Sequence, residues 1–167
     1  MSKKPAKKAP STAAPKGKAL GKADSTVVEE MKKLLAESYT LYLKTHNYHW
    51  NVTGPMFHSL HLQFEAQYTE LAVAVDDIAE RIRTLGHKAP GSYAEFAKLS
   101  SVKDASGDPD AMTMLKTLAE DNATVARRAH AVARAAAEVD DEGTVSLAGA
   151  RIEIHEKNAW MLSAHLG

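Results

Sequence analysis

The chain has 167 residues, 44% of them apolar, 25% charged and none of them cysteine, which suits one domain with a core and is cramped for two. The absence of cysteine excludes disulfide scaffolds, thiol catalysis, thiolate zinc sites and iron–sulfur clusters, and it fits a reducing cell interior. No stretch approaches the ~18–20 apolar residues of a membrane span, so no membrane partner is expected. The zero net charge hides a split: residues 1–23 hold seven lysines and no acid (+7), whereas the rest hold 14 basic and 21 acidic side chains (−7).

The first region, 1–23, is Lys-, Ala- and Pro-rich, with Pro5, Pro10 and Pro15 breaking any helix. It lacks the apolar surface to offset ordering entropy and reads as a disordered tail. It also lacks the apolar run of roughly 7–15 residues that a secretory signal needs. Lys3, Lys4, Lys7, Lys8, Lys16, Lys18 and Lys22 form an electrostatic arm suited to DNA, whose binding would be blind to sequence and sensitive to salt. A solubilising tail, or an arm folded onto its own acidic body, explains the same lysines.

Residues 24–167 read as an all-α four-helix bundle domain. A first helix is expected from about Ser25 to Asn51, opened by a capping box of Thr26 and Glu29. Val28, Met31, Leu35, Leu41 and Tyr42 recur near its period. Gly54-Pro55 stops it, and a second helix runs from Phe57 to Leu85 with Gly86 as its C-terminal cap. A long connection, His87–Asp108, contains a short helical stretch at Tyr93–Leu99. Asp108-Pro109 then starts a third helix, with Asp as cap and Pro in the first turn, running to about Val139 with Ala129, Ala133, Ala136 and Ala137 as close-packing residues. Asp140-Asp141-Glu142-Gly143 breaks it before a fourth helix from about Thr144 to His165. No segment alternates as a strand does, and four long helices with short, long and short connections make a bundle.

The second helix carries the chemistry. His61 and Glu65 are four residues apart, as are Asp76 and Glu80, so each pair shares a face. At ~100° per residue all four lie on one stripe about 100° wide, but the pairs stand about 16 Å apart along the axis. One helix therefore cannot bring both pairs to one ion. Two copies laid antiparallel about a two-fold axis near Glu70–Leu71 can, since His61/Glu65 of one copy then faces Asp76/Glu80 of the other, giving two equivalent sites. His49, beside the Gly54-Pro55 turn, can add a second imidazole. Such a nitrogen and oxygen donor set suits iron, manganese or zinc rather than copper(I). The same carboxylates can equally be a solvated face, with Asp76 pairing to Arg81 or Arg83 and His61 an ordinary interfacial histidine.

The run His49-Trp50-Asn51-Val52-Thr53-Gly54, followed by Phe57, His61, Glu65, Asp76 and Ala79-Glu80-Arg81, resembles the Dps family, the miniferritins of the ferritin-like superfamily that protect DNA in starved cells. The resemblance extends through the helical layout over about Ser25–Leu166. It implies a ferritin-like four-helix bundle with a short helix in its long connection, built into hollow twelve-subunit shells. It implies ferroxidase sites between two-fold-related subunits, with His49, His61 and Glu65 from one subunit and Asp76 and Glu80 from its neighbour as iron ligands. Where Glu65 stands the family usually has Asp, one methylene shorter. Trp50 is similar to the family's tryptophan beside the site, which can surrender an electron and limit radical escape; a core aromatic would occupy the position equally well. His46, His58, His87, His130, His155 and His165 read as surface or packing residues. Ordinary ferritins are set apart by their intrasubunit Glu-x-x-His pairs, since none of the eight histidines has Glu three positions earlier. Glu138, Asp140, Asp141 and Glu142 match the negative three-fold pores of such shells, although a polar loop whose acids favour the next helix N-terminus accounts for them too.

The resemblance thus implies a cytoplasmic, nucleoid-associated ferroxidase and iron store that uses hydrogen peroxide by preference and binds DNA through its basic tail. A mainly DNA-condensing nucleoid protein with a weak metal site, and a helical assembly protein without chemistry, are the competing readings.

Overall fold

In the computed structural model, residues 22–167 are described, with side chains from Ser25 onward. They form α1 (Lys22–Asn51), α2 (Phe57–Thr84), α3 (Tyr93–Leu99), α4 (Ala111–Ala137) and α5 (Glu142–Ser163), and no strand occurs among them. The sequence reading of four long helices and a short one is borne out. Of the tail lysines, Lys3 to Lys18 lie outside the described residues, and Lys22 is the first residue of α1.

Pairings along the helices give their directions. Lys44 reaches Asp121 and Glu37 meets Arg128, so α1 and α4 are antiparallel. His49 meets His61, so α1 and α2 are antiparallel as well. α2 and α4 therefore run the same way, and the chain between them must return along the bundle. This is why one connection is long while the other two are tight turns. The long connection is pinned by Phe96, whose ring stacks on Tyr39 at 4.7 Å, and by the fully buried Glu37, which accepts from the Ser101 hydroxyl at 2.5 Å.

The core is built from Met31, Leu34, Leu35 and Leu41 of α1, Leu60, Phe64, Leu71, Ile78 and Ile82 of α2, and Met114, Leu115 and Leu118 of α4. α5 contributes differently. Its buried stripe is Thr144, Ala148, Arg151, His155 and Leu162, largely polar or small. Polar bonds consequently tie it in: Arg151 pairs with Glu70, and Arg81 pairs with Asp141 and donates to the Thr144 hydroxyl at 2.9 Å. A Cβ at Gly143 would stand 3.1 Å from the Arg81 guanidinium, so glycine allows this approach. No described helix is long and apolar enough to cross a membrane.

Several boundaries move from expectation. α1 begins at Lys22, so Thr26 lies a turn inside it rather than capping it, because Lys and Ala continue a helix readily. Asp110, not Asp108, caps α4, accepting from the Thr113 amide at 2.7 Å; Pro109 lies ahead of the helix, and the apolar period of Ala111, Met114 and Leu115 starts only after Asp110. α4 ends at Ala137, and the turn is made by Asp140 at φ +57° rather than by Gly143, which belongs to α5. Asp tolerates this left-handed conformation better than most residues do. Of the four alanines, Ala129 and Ala136 are fully buried and Ala137 is exposed. Gly86 does follow α2 at φ +87°, as its C-terminal role requires.

Candidate metal centre

The turn after α1 folds α2 back so that His49, in the last turn of α1, lies against His61, one turn into α2. Their rings stack at 3.7 Å. Each Nδ1 bonds the other residue's main-chain carbonyl, His49 to His61 O at 2.8 Å and His61 to His49 O at 2.9 Å. A carbonyl only accepts, so both Nδ1 atoms carry the hydrogen, and Nε2 is the nitrogen left to offer a lone pair. A bond from one ring nitrogen to a carbonyl is what fixes the orientation of an imidazole whose other nitrogen binds a metal. His49 is buried and His61 half-buried.

Glu65, Asp76 and Glu80 are all exposed and have no hydrogen bond or ion pair among the described residues. The cations considered as partners for Asp76 are engaged elsewhere: Arg81 with Asp141, and Arg83 with the His87 carbonyl at 3.0 Å. Within a single chain no three metal-ligating side chains come together among the described residues. The structure thus gathers His49 with His61 and leaves the carboxylates spread along one outer stripe of α2, where residues 61 and 80, 65 and 76, and 69 and 72 lie equidistant from the Glu70–Leu71 midpoint. Thr69 and Ala72, at the middle of the stripe, are exposed and small enough to let a second helix approach.

Trp50 is 59% exposed, not a core aromatic. Its ring lies 4.1 Å from that of His46, which stacks in turn on Tyr68 at 4.0 Å. Burial, and then the neighbouring His49, hold the His46 imidazole below its ordinary pKa. Leu43, Phe57, Leu62 and Val73 are further exposed apolar residues of α1 and α2.

The acids at the α4–α5 junction separate into two groups. Burial alone would raise the Asp141 pKa, but the Thr144 hydroxyl and amide and then Arg81 hold the carboxyl below its ordinary value. Its oxygens cap α5 through the Thr144 amide at 3.0 Å and take the Arg81 ion pair, so Asp141 is a structural tie. Glu138, Asp140 and Glu142 are exposed, with no side-chain partner among the described residues.

Sequence reasoning gave His155 no particular role. It is fully buried, with Nδ1 donating to Asn122 Oδ1 at 2.9 Å and Nε2 accepting from Arg151 at 2.9 Å. Burial and then the Arg151 charge push its pKa down to about 3. The signal available in the sequence was the spacing of Ala148, Arg151, His155 and Leu162 along one helical face. His130 instead meets Glu156 at 3.2 Å in the open, and His165 meets Gln63 at 2.9 Å.

Comparison with known proteins agrees with this layout. Residues 28–167 match the family described as ferritin-like domain. Over 143 residues the chain is 41% identical to a low temperature-induced protein of Nostoc sp., covering 84% of this chain and 79% of that one. It is 38% identical over 141 residues to a DNA protection during starvation protein of Bacillus anthracis, covering 84% and 96%. The crystal structure of the Dps protein from Vibrio cholerae O1, described as a member of a broad superfamily of ferritin-like diiron-carboxylate proteins, superposes with a TM-score of 0.83 at 31% identity, covering 87% of this chain and 91% of that one. With its helical order, its match to the family model and these relatives, the chain belongs to the Dps family of ferritin-like proteins.

Proposed function

We propose that this chain is the subunit of a ferroxidase and iron-storage shell, with each oxidation site shared by two subunits. The observation that carries the reading is the reciprocal His49–His61 bonding, which orients two imidazoles with Nε2 left over, combined with the unpaired Glu65, Asp76 and Glu80 at mirrored positions along the same helix. In an antiparallel α2 pair, His49, His61 and Glu65 of one subunit would hold iron(II) together with Asp76 and Glu80 of the other. The exposed apolar residues Trp50, Phe57, Leu62 and Val73 supply the surface on which that second copy would sit. Hydrogen peroxide then takes one electron from each of two iron(II) ions, giving two iron(III) and two hydroxides without releasing a hydroxyl radical. The protein's part is positioning and open coordination. Iron(III) mineralises inside a dodecamer, and Glu138, Asp140 and Glu142 draw cations toward the cavity by focusing the field.

Subunit mixing tests the shared site. His61→Ala and Asp76→Asn shells should each lose peroxide-driven iron(II) oxidation. Dissociated, mixed in equal amounts and reassembled, they should regain roughly a quarter of the sites, since half the dimers are mixed and each of these rebuilds one intact site. Absence of recovery in shells shown to contain both variants overturns sharing.

The charge split supports a second activity on the same particle. Many arms, each weakly attracted to phosphates, give a shell high avidity for DNA and a cytoplasmic, nucleoid-associated place of work. Deleting residues 1–21 should abolish DNA retardation in a gel while leaving iron oxidation intact; undiminished retardation removes this reading.

A further inference from the structure

Four of the five tyrosines form one file of neighbouring rings. Trp50 lies 4.1 Å from His46, and His46 lies 4.0 Å from Tyr68. Tyr68 is 6.3 Å from Tyr42, Tyr42 is 5.8 Å from Tyr39, and Tyr39 is 6.2 Å from Tyr93. The file also touches the proposed metal centre sideways, since the Tyr68 ring is 5.1 Å from that of His49. All these separations are centroid distances of rings in or near packing contact. At its far end Tyr93, on α3, is 69% exposed, whereas Tyr39 and Tyr42 are partly covered. The Tyr93 end is thus open, the middle is sheltered, and Trp50 at the other end lies on the face proposed to meet the second subunit.

Packing alone accounts poorly for this choice of side chains. Leu or Phe would fill the middle positions without a hydroxyl to satisfy. Phenol and indole are the side chains from which one electron and one proton are most readily withdrawn, and a file of them can pass that deficit from ring to ring. We propose that Trp50, Tyr68, Tyr42, Tyr39 and Tyr93 form a relay that carries an oxidising equivalent from the metal-centre face to the surface at Tyr93, with His46 bridging the first two rings.

Each step balances. Where a single iron(II) meets peroxide, one electron is transferred and iron(III), one hydroxide and one hydroxyl radical result; such a radical near Trp50 takes the indole N–H hydrogen and becomes water, leaving an indolyl radical. Tyr68 returns one electron and one proton to that ring and becomes a phenoxyl radical; the same exchange repeats along Tyr42 and Tyr39 to Tyr93. A thiol in solution then gives its hydrogen atom to the Tyr93 oxygen and leaves as a thiyl radical. The relay rests on the ferroxidase reading only for the source of its oxidant.

The test needs no iron, so its failure is separable from failure of that reading. Pulse radiolysis in azide solution generates azide radicals, which oxidise tryptophan to the indolyl radical with release of azide and a proton. In the full chain carrying Trp160→Phe, which removes the other indole, the indolyl absorbance should decay into phenoxyl absorbance at a rate independent of protein concentration. Adding Tyr68→Phe should abolish that conversion. A radical-trapping nitroso compound, followed by peptide mass spectrometry, should mark Tyr93, and the mark should move to Tyr68 when Tyr42→Phe is added. It should be lost when Trp50→Phe is added. Unchanged conversion in Tyr68→Phe, or a Tyr93 mark that persists without Trp50, overturns the relay. Circular dichroism and shell size confirm that each variant is assembled before the pulse.

Discussion

Histidine occurs in two opposite settings in this bundle. Between α4 and α5, His155 is sealed in the core with both ring nitrogens occupied, one donating to Asn122 and the other accepting from Arg151. Where α1 turns into α2, His49 and His61 occupy only Nδ1 and leave Nε2 free. The same side chain is a structural bridge in one place and a ready donor in the other. What separates them is which nitrogen already has a partner, more than burial, since His49 is only 8% exposed.

Substitutions can break this contrast. The largest effect is expected from His49→Ala: peroxide-driven iron(II) oxidation should fall by more than about 100-fold, beyond the 10–100-fold usual for a group that merely supports a ligand, in shells that still assemble. A large loss of stability with normal oxidation would reverse the assignment. His155→Leu should do the opposite, costing about 3 kcal/mol in denaturant unfolding because Asn122 and Arg151 lose a buried partner, with oxidation per assembled shell unchanged.

The acid limb sharpens the contrast further. In the unfolded chain His155 takes up a proton below its ordinary pKa of 6.5, whereas the folded ring stays neutral until about 3. The unfolded state therefore binds more protons across that window, and stability falls as pH falls through it, by up to about 1.4 kcal/mol per pH unit. Urea midpoints measured between pH 6.5 and 4 should show this slope in the native chain and a shallower one in His155→Leu; equal slopes would place the acid sensitivity elsewhere. The smallest effect belongs to a third setting. His130 faces Glu156 with both side chains about half exposed, so His130→Ala should alter stability by less than about 0.5 kcal/mol in the same titration.

Much of this architecture was legible from residue order. The apolar periods of the four long helices, the helical stretch at Tyr93–Leu99 and the role of Gly86 rest on local rules, and the structure follows them. The errors arose where two local signals competed. Asp108 and Asp110 are both good caps, and the start of the apolar period at Ala111 decides between them. Thr26 looked like a cap until Lys22 and Ala23 extended the helix past it. In the candidate site, the common stripe of His61, Glu65, Asp76 and Glu80 followed from helical arithmetic. The hydrogen bonds that fix two ring nitrogens, the capture of Asp141 by Arg81 and the exposure of Trp50 did not, because each depends on how separate helices pack. His155 shows the same limit: its stripe on α5 could be read, but its partner Asn122 lies on another helix.

The paired carbonyl bonds at His49 and His61 have one more consequence. Each ring is anchored to the backbone of the opposite helix, so the two residues act as mutual register marks for α1 and α2. A slip of one helix by a single residue would sever both bonds together and turn both rings loose. Under such a shift the two imidazoles are therefore held together or lost together, so the turn between the helices is locked at both of its ends.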